Sequence, residues 1–299
     1  LATGTIAAGG TLGILIPPSI VLIVYAIIVE ANIVTLFAAA LIPGVLAVLF
    51  FIGTVAIYVR VVPGSGPEGA AVPRAELISA TLSVIPVLVI FGIVIGGIYA
   101  GIYSPTAAAA IGVFMVGLYG VLMRRLSLAD TTAAFLETAR TSGMIFLILL
   151  GAELLKIFMS RAGVPQAAAA ALQDSGLAPM TILLLIIVTF LVLGCLMDSL
   201  SMIILATPFF WPVVAGLDFG LTENELKIWY GIITLIVVEL GLITPPVGLN
   251  VFIIHSLAPD VPMRETFRGV MPFFASEMAR VVVLVAFPAV TLFLPRLLS

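Results

Sequence analysis

Leu12-Gly13-Ile14-Leu15-Ile16-Pro17-Pro18 and Leu240-Gly241-Leu242-Ile243-Thr244-Pro245-Pro246 are one pattern written twice, matching at Leu, Gly, Pro and Pro with a constant offset of 228 residues. Each copy interrupts an apolar run. Proline has no N–H and its ring clashes with the carbonyl four residues back, so two in succession break a helix. The freed carbonyls of the preceding turn then face the break. Backbone carbonyls and hydroxyls are the oxygen ligands that hard cations such as Na⁺ take. A kink that only shapes packing explains either copy taken singly; the pair together needs more, and the surrounding chain supplies it.

Of the 299 residues, 63% are hydrophobic and 9% charged, against about 25% charged in an average soluble protein. The 12 basic and 15 acidic side chains are too few to cover a water-soluble globule of this size. The lipid bilayer is therefore the solvent. A net charge of -3 without a basic cluster excludes nucleic acid as a partner. One cysteine, Cys195, and one histidine, His255, exclude an internal disulfide and a His/Cys metal site.

Against the roughly 20 apolar residues needed to cross about 30 Å of hydrocarbon as helix, seven segments qualify. They are 4–31, 35–59, 77–97, 105–123, 142–160, 226–257 and 273–295. Residues 180–214 fit no whole number of crossings and read as a re-entrant hairpin with Asp198-Ser199-Leu200-Ser201 at its tip, Gly194 before it and the breakers Pro208 and Pro212 after it. Residues 61–76 are a Pro/Gly-rich linker, and 127–141 and 262–272 read as amphipathic helices at the surface. Arg60, Arg74, Arg124, Arg125, Arg140, Arg264 and Arg268 fall on one side and Lys156, Arg161, Lys227 and Arg296 on the other, which makes the first side cytoplasmic. On that count the first Pro-Pro span runs outward and the second inward. They belong to an inverted repeat, the arrangement in which secondary transporters place binding sites at the midplane.

Other residues carry lesser signals. Glu239 sits inside the sixth span as either a coupling group or a partner for a neighbouring helix. Glu153 and Lys156, three apart, neutralise each other on one face. His255 reads as interfacial. Ser104-Pro105 reads as an N-cap and first helical residue after a turn at Gly96-Gly97 and Gly101. Trp211, Trp229, Tyr99 and Tyr103 suit the outer interfacial belt. No Walker glycine loop and no Gly-x-Ser-x-Gly occurs.

Gly10-Thr11-Leu12-Gly13-Ile14-Leu15-Ile16-Pro17-Pro18-Ser19, Gly96-Gly97-Ile98-Tyr99-Ala100-Gly101-Ile102-Tyr103-Ser104-Pro105-Thr106 and Pro245-Pro246-Val247-Gly248-Leu249-Asn250 together resemble the large membrane subunit of tripartite ATP-independent periplasmic (TRAP) transporters. The resemblance runs through essentially the whole chain. It implies an all-α polytopic elevator-type carrier for the bacterial inner membrane, with two hairpins and two broken helices in the moving part. It implies Na⁺-coupled uptake of organic acids such as C4-dicarboxylates, delivered by a periplasmic binding protein, with a small membrane subunit alongside and no cofactor beyond Na⁺. By the same resemblance, residues 1–60 are the C-terminal part of the first repeat and 77–299 the complete second, so that the chain is expected to start near the end of the first hairpin. Gly10, Thr11, Gly13, Ile16 and Pro17 would supply one Na⁺ site. Asp198, Ser199 and Ser201 with Gly241, Thr244 and Pro246 would supply the other, and Ser19, Gly248 and Asn250 would meet the substrate. Hairpin tips in the family often place a proline between the acidic residue and the serine; Asp198-Ser199 lacks it.

An intramembrane aspartyl enzyme centred on Asp198 is the competing reading. It needs a second aspartate at membrane depth, and Asp130, Asp174, Asp218 and Asp260 all fall in loops. A passive scaffold leaves the inverted repeat unexplained.

Overall fold

The computed structural model describes residues 1–66, 72–164, 167 and 176–298. Among them lie twelve helices and no strand, as expected of a chain whose backbone groups must be satisfied internally in lipid. In chain order they are α1 (Ala2–Leu15), α2 (Ile20–Val29), α3 (Ile33–Val61), α4 (Arg74–Tyr99), α5 (Pro105–Leu122), α6 (Leu128–Arg161), α7 (Pro179–Gly194), α8 (Ser199–Ala215), α9 (Glu223–Gly241), α10 (Leu249–Leu257), α11 (Met263–Ala286) and α12 (Pro288–Leu298). Residues 67–71 of the expected linker and Asp174 lie outside the described residues. Contacts group the chain into two compact units, residues 1–66 with 150–299, and residues 67–149.

Five helices, α3, α4, α5, α6 and α11, are singly long and apolar enough to cross a bilayer, and α1 with α2 forms a sixth candidate bent by 46°. The expected sixth span, 226–257, is α9 followed by α10. It does not meet the same measure, because α9 carries Glu223, Glu225, Lys227 and Glu239.

Three expectations about where helices stop are corrected. Residues 127–141 and 142–160 are one helix, α6, opened by a reciprocal Ser127–Asp130 cap. The change from polar to apolar composition contains no proline to end it, and composition alone stops no helix. Its 34 residues reach about 51 Å, more than the hydrocarbon thickness. Residues 262–272 likewise run on into α11; the break comes later, at Phe287, which Pro288 forces out of the helical region to φ -127, ψ 76. Pro208 and Pro212 lie inside α8 and do not interrupt it.

In the second unit, α4 and α5 pack on one another through a turn made at Gly101, whose φ is +69. Ser104 accepts from the Ala107 N–H at 3.4 Å and Pro105 opens α5, as expected. Gly96 and Gly97 belong to the last turns of α4, and a β-carbon at Gly97 would collide with the Tyr103 ring, whose hydroxyl donates to the Ile93 carbonyl.

The first unit is built around α9, whose side chains from Ile228 to Gly241 are all buried and which packs on α7, α8, α3, α11 and α12. Trp229 is therefore no belt residue: it is fully buried and its Nε1 donates to the Leu284 carbonyl at 2.9 Å. Near the C-terminal end of α9 an apolar core joins Ala7 and Ala8 of α1, Phe51 of α3, Leu240 and Ile243, Val251 of α10, and Val270 and Phe273 of α11. Here α1 and α11 cross at Gly4 and Gly269, where a β-carbon on Gly4 would enter the Gly269 backbone. Small residues permit this approach, as membrane helix pairs require when hydrophobicity alone cannot drive association.

Candidate functional site: two helix breaks and a hairpin

The two Pro-Pro pairs break two helices, as the sequence dictates. In the first, α1 stops at Leu15, Ile16 is extended (φ -77, ψ 121) and α2 restarts after Ser19. The helical partners of the Gly13 and Ile14 carbonyls would be the N–H groups of Pro17 and Pro18, which do not exist. Ile16 donates instead to Leu12 (3.1 Å) and Leu22 donates to the Ser19 hydroxyl (3.3 Å), so neither restores the lost bonds. Thr11, buried, donates to the Ala8 carbonyl at 2.8 Å and keeps its oxygen lone pairs.

The second break answers the same problem differently. Gly241 and Leu242 hold the positions equivalent to Gly13 and Ile14. Here the Gly241 carbonyl accepts from the Thr244 N–H at 3.0 Å and the Leu242 carbonyl from the Asn250 N–H at 3.0 Å. Thr244 also donates its hydroxyl to the Leu240 carbonyl at 2.6 Å. Gly248, in the left-handed region at φ +61, lets the chain turn into α10; a glycine is needed there for backbone reasons alone. The carbonyls at the second break are thus partly engaged, and those at the first are open.

The hairpin of α7 and α8 spans 179–215, close to the expected 180–214. Its end lies on the second break. A β-carbon on Gly241 would sit 2.5 Å from the Gly194 Cα, and the Cys195 thiol reaches the Pro245 carbonyl at 3.5 Å. Gly194, read from the sequence only as a break, and Cys195, read only as excluding a disulfide, make this contact. Asp198 is exposed and acts as the N-cap of α8, its Oδ1 accepting from the Ser201 N–H at 3.0 Å. Ser199 is buried with an unpartnered hydroxyl, and Ser201 is half-buried. Because serine caps a helix about as well as aspartate, Asp198→Ser is expected to keep helix stability while Asp198→Ala loses about 1 kcal/mol. Thermal unfolding of both variants checks the cap.

Of the three expected substrate residues, Ser19 is buried and occupied as the cap of α2, Gly248 shapes the turn, and Asn250 extends its Nδ2 3.3 Å to the Ala7 carbonyl. That contact brings the two broken helices together.

A buried charged group lies beside the second break. Arg280, 1% exposed, donates to the Pro43 carbonyl at 3.0 Å and pairs with Glu277; Glu239, 2% exposed, interacts electrostatically with both. Glu239 thus faces a neighbouring helix, one of the two roles open to it from sequence. Lys156 pairs with Glu153 at 3.9 Å and with Glu30 at 3.2 Å. His255 Nδ1 lies 3.0 Å from the Val261 carbonyl, a satisfied histidine at a helix end.

The profile of the family described as "Tripartite ATP-independent periplasmic transporter, DctM component" matches residues 1–290. The chain belongs to this family. The C4-dicarboxylate TRAP transporter large permease protein DctM of Pseudomonas aeruginosa is 32% identical over 99% of this chain and 67% of its own length. The sialic acid TRAP transporter large permease protein of Vibrio cholerae is 29% identical over the same shares. An ectoine/5-hydroxyectoine TRAP transporter large permease protein of Ruegeria pomeroyi is 32% identical over 94% of this chain and 64% of its own. This DctM-family chain thus spans about two thirds of the length of such relatives, which are named as transporter permeases and not as enzymes. It is a multi-pass membrane protein of a TRAP transporter's large permease type.

Proposed function

We propose that this chain carries organic acids across the bacterial inner membrane in symport with Na⁺, receiving them from a periplasmic binding protein and working beside a small membrane subunit. The observation that carries this reading is the pair of Pro-Pro breaks, one with open Gly13 and Ile14 carbonyls and one covered by the hairpin end. At each break a C-terminal helix end, partially negative, meets an N-terminal end, partially positive. The ends of α1 and α9 offer oxygens to Na⁺, with Gly10, Thr11, Gly13, Ile16 and Pro17 at the first site and Gly241, Thr244 and Pro246 with the tip residues Asp198, Ser199 and Ser201 at the second. The starts of α2 and α10, at Ser19 and at Gly248 and Asn250, offer positive ends to a carboxylate. Bringing a cation and an anion in together lowers the cost of moving either through lipid. C4-dicarboxylates, sialic acid and ectoine, the compounds for which relatives are named, share a carboxylate.

Cys195 supplies the test, since it is the only cysteine and is buried where hairpin and break touch. In purified protein, its maleimide labelling rate is expected to fall as Na⁺ replaces K⁺ at constant ionic strength, because an ion in the break holds the hairpin closed. Identical rates in the two salts would remove the support for a sodium site at this break.

A further inference from the structure

We propose that Asn250 is a positioning residue that couples the two helix breaks, so that Na⁺ at one changes the affinity for Na⁺ at the other. The inference rests on the sodium reading above and goes beyond it, because two ion sites on two repeats need have no influence on one another.

Asn250 holds one carbonyl from each broken helix. Its backbone N–H donates to the Leu242 carbonyl at 3.0 Å, replacing the bond that Pro246 cannot make. Its side-chain Nδ2 donates to the Ala7 carbonyl at 3.3 Å, 243 residues away in sequence. The amide lies along the turn of α1 that leads to the first break, and a β-carbon on Gly10 would touch it at 3.7 Å. Ala7 is also the carbonyl to which the Thr11 N–H points in a regular helix. Thus one residue bridges the carbonyl that closes the second break and the turn that carries Thr11. The apolar surroundings are shared as well: Ala7 and Ala8 sit in one core with Ile243 and Val251.

The bridge has no counterpart in the other direction. The residue equivalent to Asn250 under the 228-residue offset is Leu22, which has no side-chain donor and whose N–H goes to its own Ser19. The polar bridge between the two breaks is therefore carried by the Asn250 side chain. An ion held by Gly241 and Thr244 that shifts the adjoining Leu242 carbonyl moves the Asn250 peptide bonded to it, and the attached amide shifts the Ala7–Thr11 turn; the reverse path is equally available, as linkage requires.

The experiment is a double-mutant cycle read at Cys195. The Na⁺ concentration giving half-maximal protection from maleimide is measured in the unaltered chain, Thr11→Ala, Asn250→Ala and the double variant. Thr11 lies at the first break and Cys195 at the second, so Thr11→Ala is expected to raise the midpoint by about threefold or more only while Asn250 is present. In the Asn250→Ala background the same change is expected to leave it unmoved. Asn250→Asp, isosteric but unable to donate, replaces Asn250→Ala if the latter does not fold. Independent, multiplying shifts would overturn the coupling while leaving the sodium sites in place. A changed half-saturation for the organic acid with an unchanged Na⁺ cycle would also overturn it, and return Asn250 to substrate contact. Absence of Na⁺ protection in the unaltered chain would overturn the sodium reading and this inference with it.

Discussion

Under the sodium symport proposed above, Gly241→Ala is expected to abolish Na⁺-dependent protection of Cys195 and Na⁺-driven uptake, and to do so more severely than Gly194→Ala. The added β-carbon would lie 2.5 Å from both the Cα and the carbonyl carbon of Gly194 and 3.0 Å from its oxygen. All three are backbone atoms, so no rotamer change relieves the collision, and α7 must move away from α9 by roughly 1 Å. Overpacking of this kind costs about 1–3 kcal/mol. Here the displaced element is the hairpin itself, which opens the covered break. In the opposite direction a β-carbon on Gly194 meets the Gly241 Cα and Val238 oxygen at 3.1 Å, a tight contact that a shift of a few tenths of an ångström relieves. Gly13, which holds the place of Gly241 in the first Pro-Pro pattern, has no atom within 4 Å of a built β-carbon, so Gly13→Ala is expected to pack without strain. Midpoints of Cys195 protection for the three variants check the order. Equal effects at 241 and 13 would mean that the hairpin contact does not govern ion access.

How much of this was legible beforehand depends on what each residue does locally. Proline is a statement about the backbone, so Pro17-Pro18 and Pro245-Pro246 located both breaks without any knowledge of packing. Ser104-Pro105 announced the start of α5 for the same reason. The two short apolar helices α7 and α8 were legible from length, since 35 apolar residues are too many for one crossing and too few for two. Polarity misled where it stood in for a stop signal: α6 runs through its compositional boundary, whereas the true break before α12 was announced by Pro288 and passed over. Trp229 went to the membrane belt because amphipathic side chains prefer interfaces, but the Leu284 carbonyl inside the first unit satisfies its N–H equally well. What stayed hidden was long-range. Nothing in the local sequence of Asn250 points to Ala7, and nothing around Gly194 points to Gly241 beyond both being glycine. The Thr11 position of the first repeat corresponds to Glu239 in the second, a polar-for-charged difference that becomes intelligible only when α11 is seen to bring Glu277 and Arg280 beside it.

That buried group leads to the second large expectation: Arg280→Leu destabilises the first unit by about 3–5 kcal/mol, the range for removing one partner of a buried ion pair. Arg280 is the sole basic side chain on α11 within its buried stretch, and α3, α7 and α8 bring no charge of their own to the middle of α9. Without it, Glu277 and Glu239 face each other with no cation, and the Pro43 carbonyl loses its donor. Arg280→Lys should recover only part of the loss, because one ammonium cannot reproduce the planar fork that reaches Pro43 and Glu277 together. The informative variant is the triple Arg280→Leu, Glu277→Leu, Glu239→Gln. Removing every charge leaves no buried charge unpaired, and buried ion pairs replaced by apolar groups are often neutral in stability. The triple variant is therefore expected to unfold at a higher temperature than Arg280→Leu alone, measured by thermal aggregation of detergent-solubilised protein. If the single variant were as stable as the unaltered chain, the three charges would not be interacting as the structure places them; if the triple were no better than the single, the loss would lie in the packing of the Arg280 side chain and not in its charge.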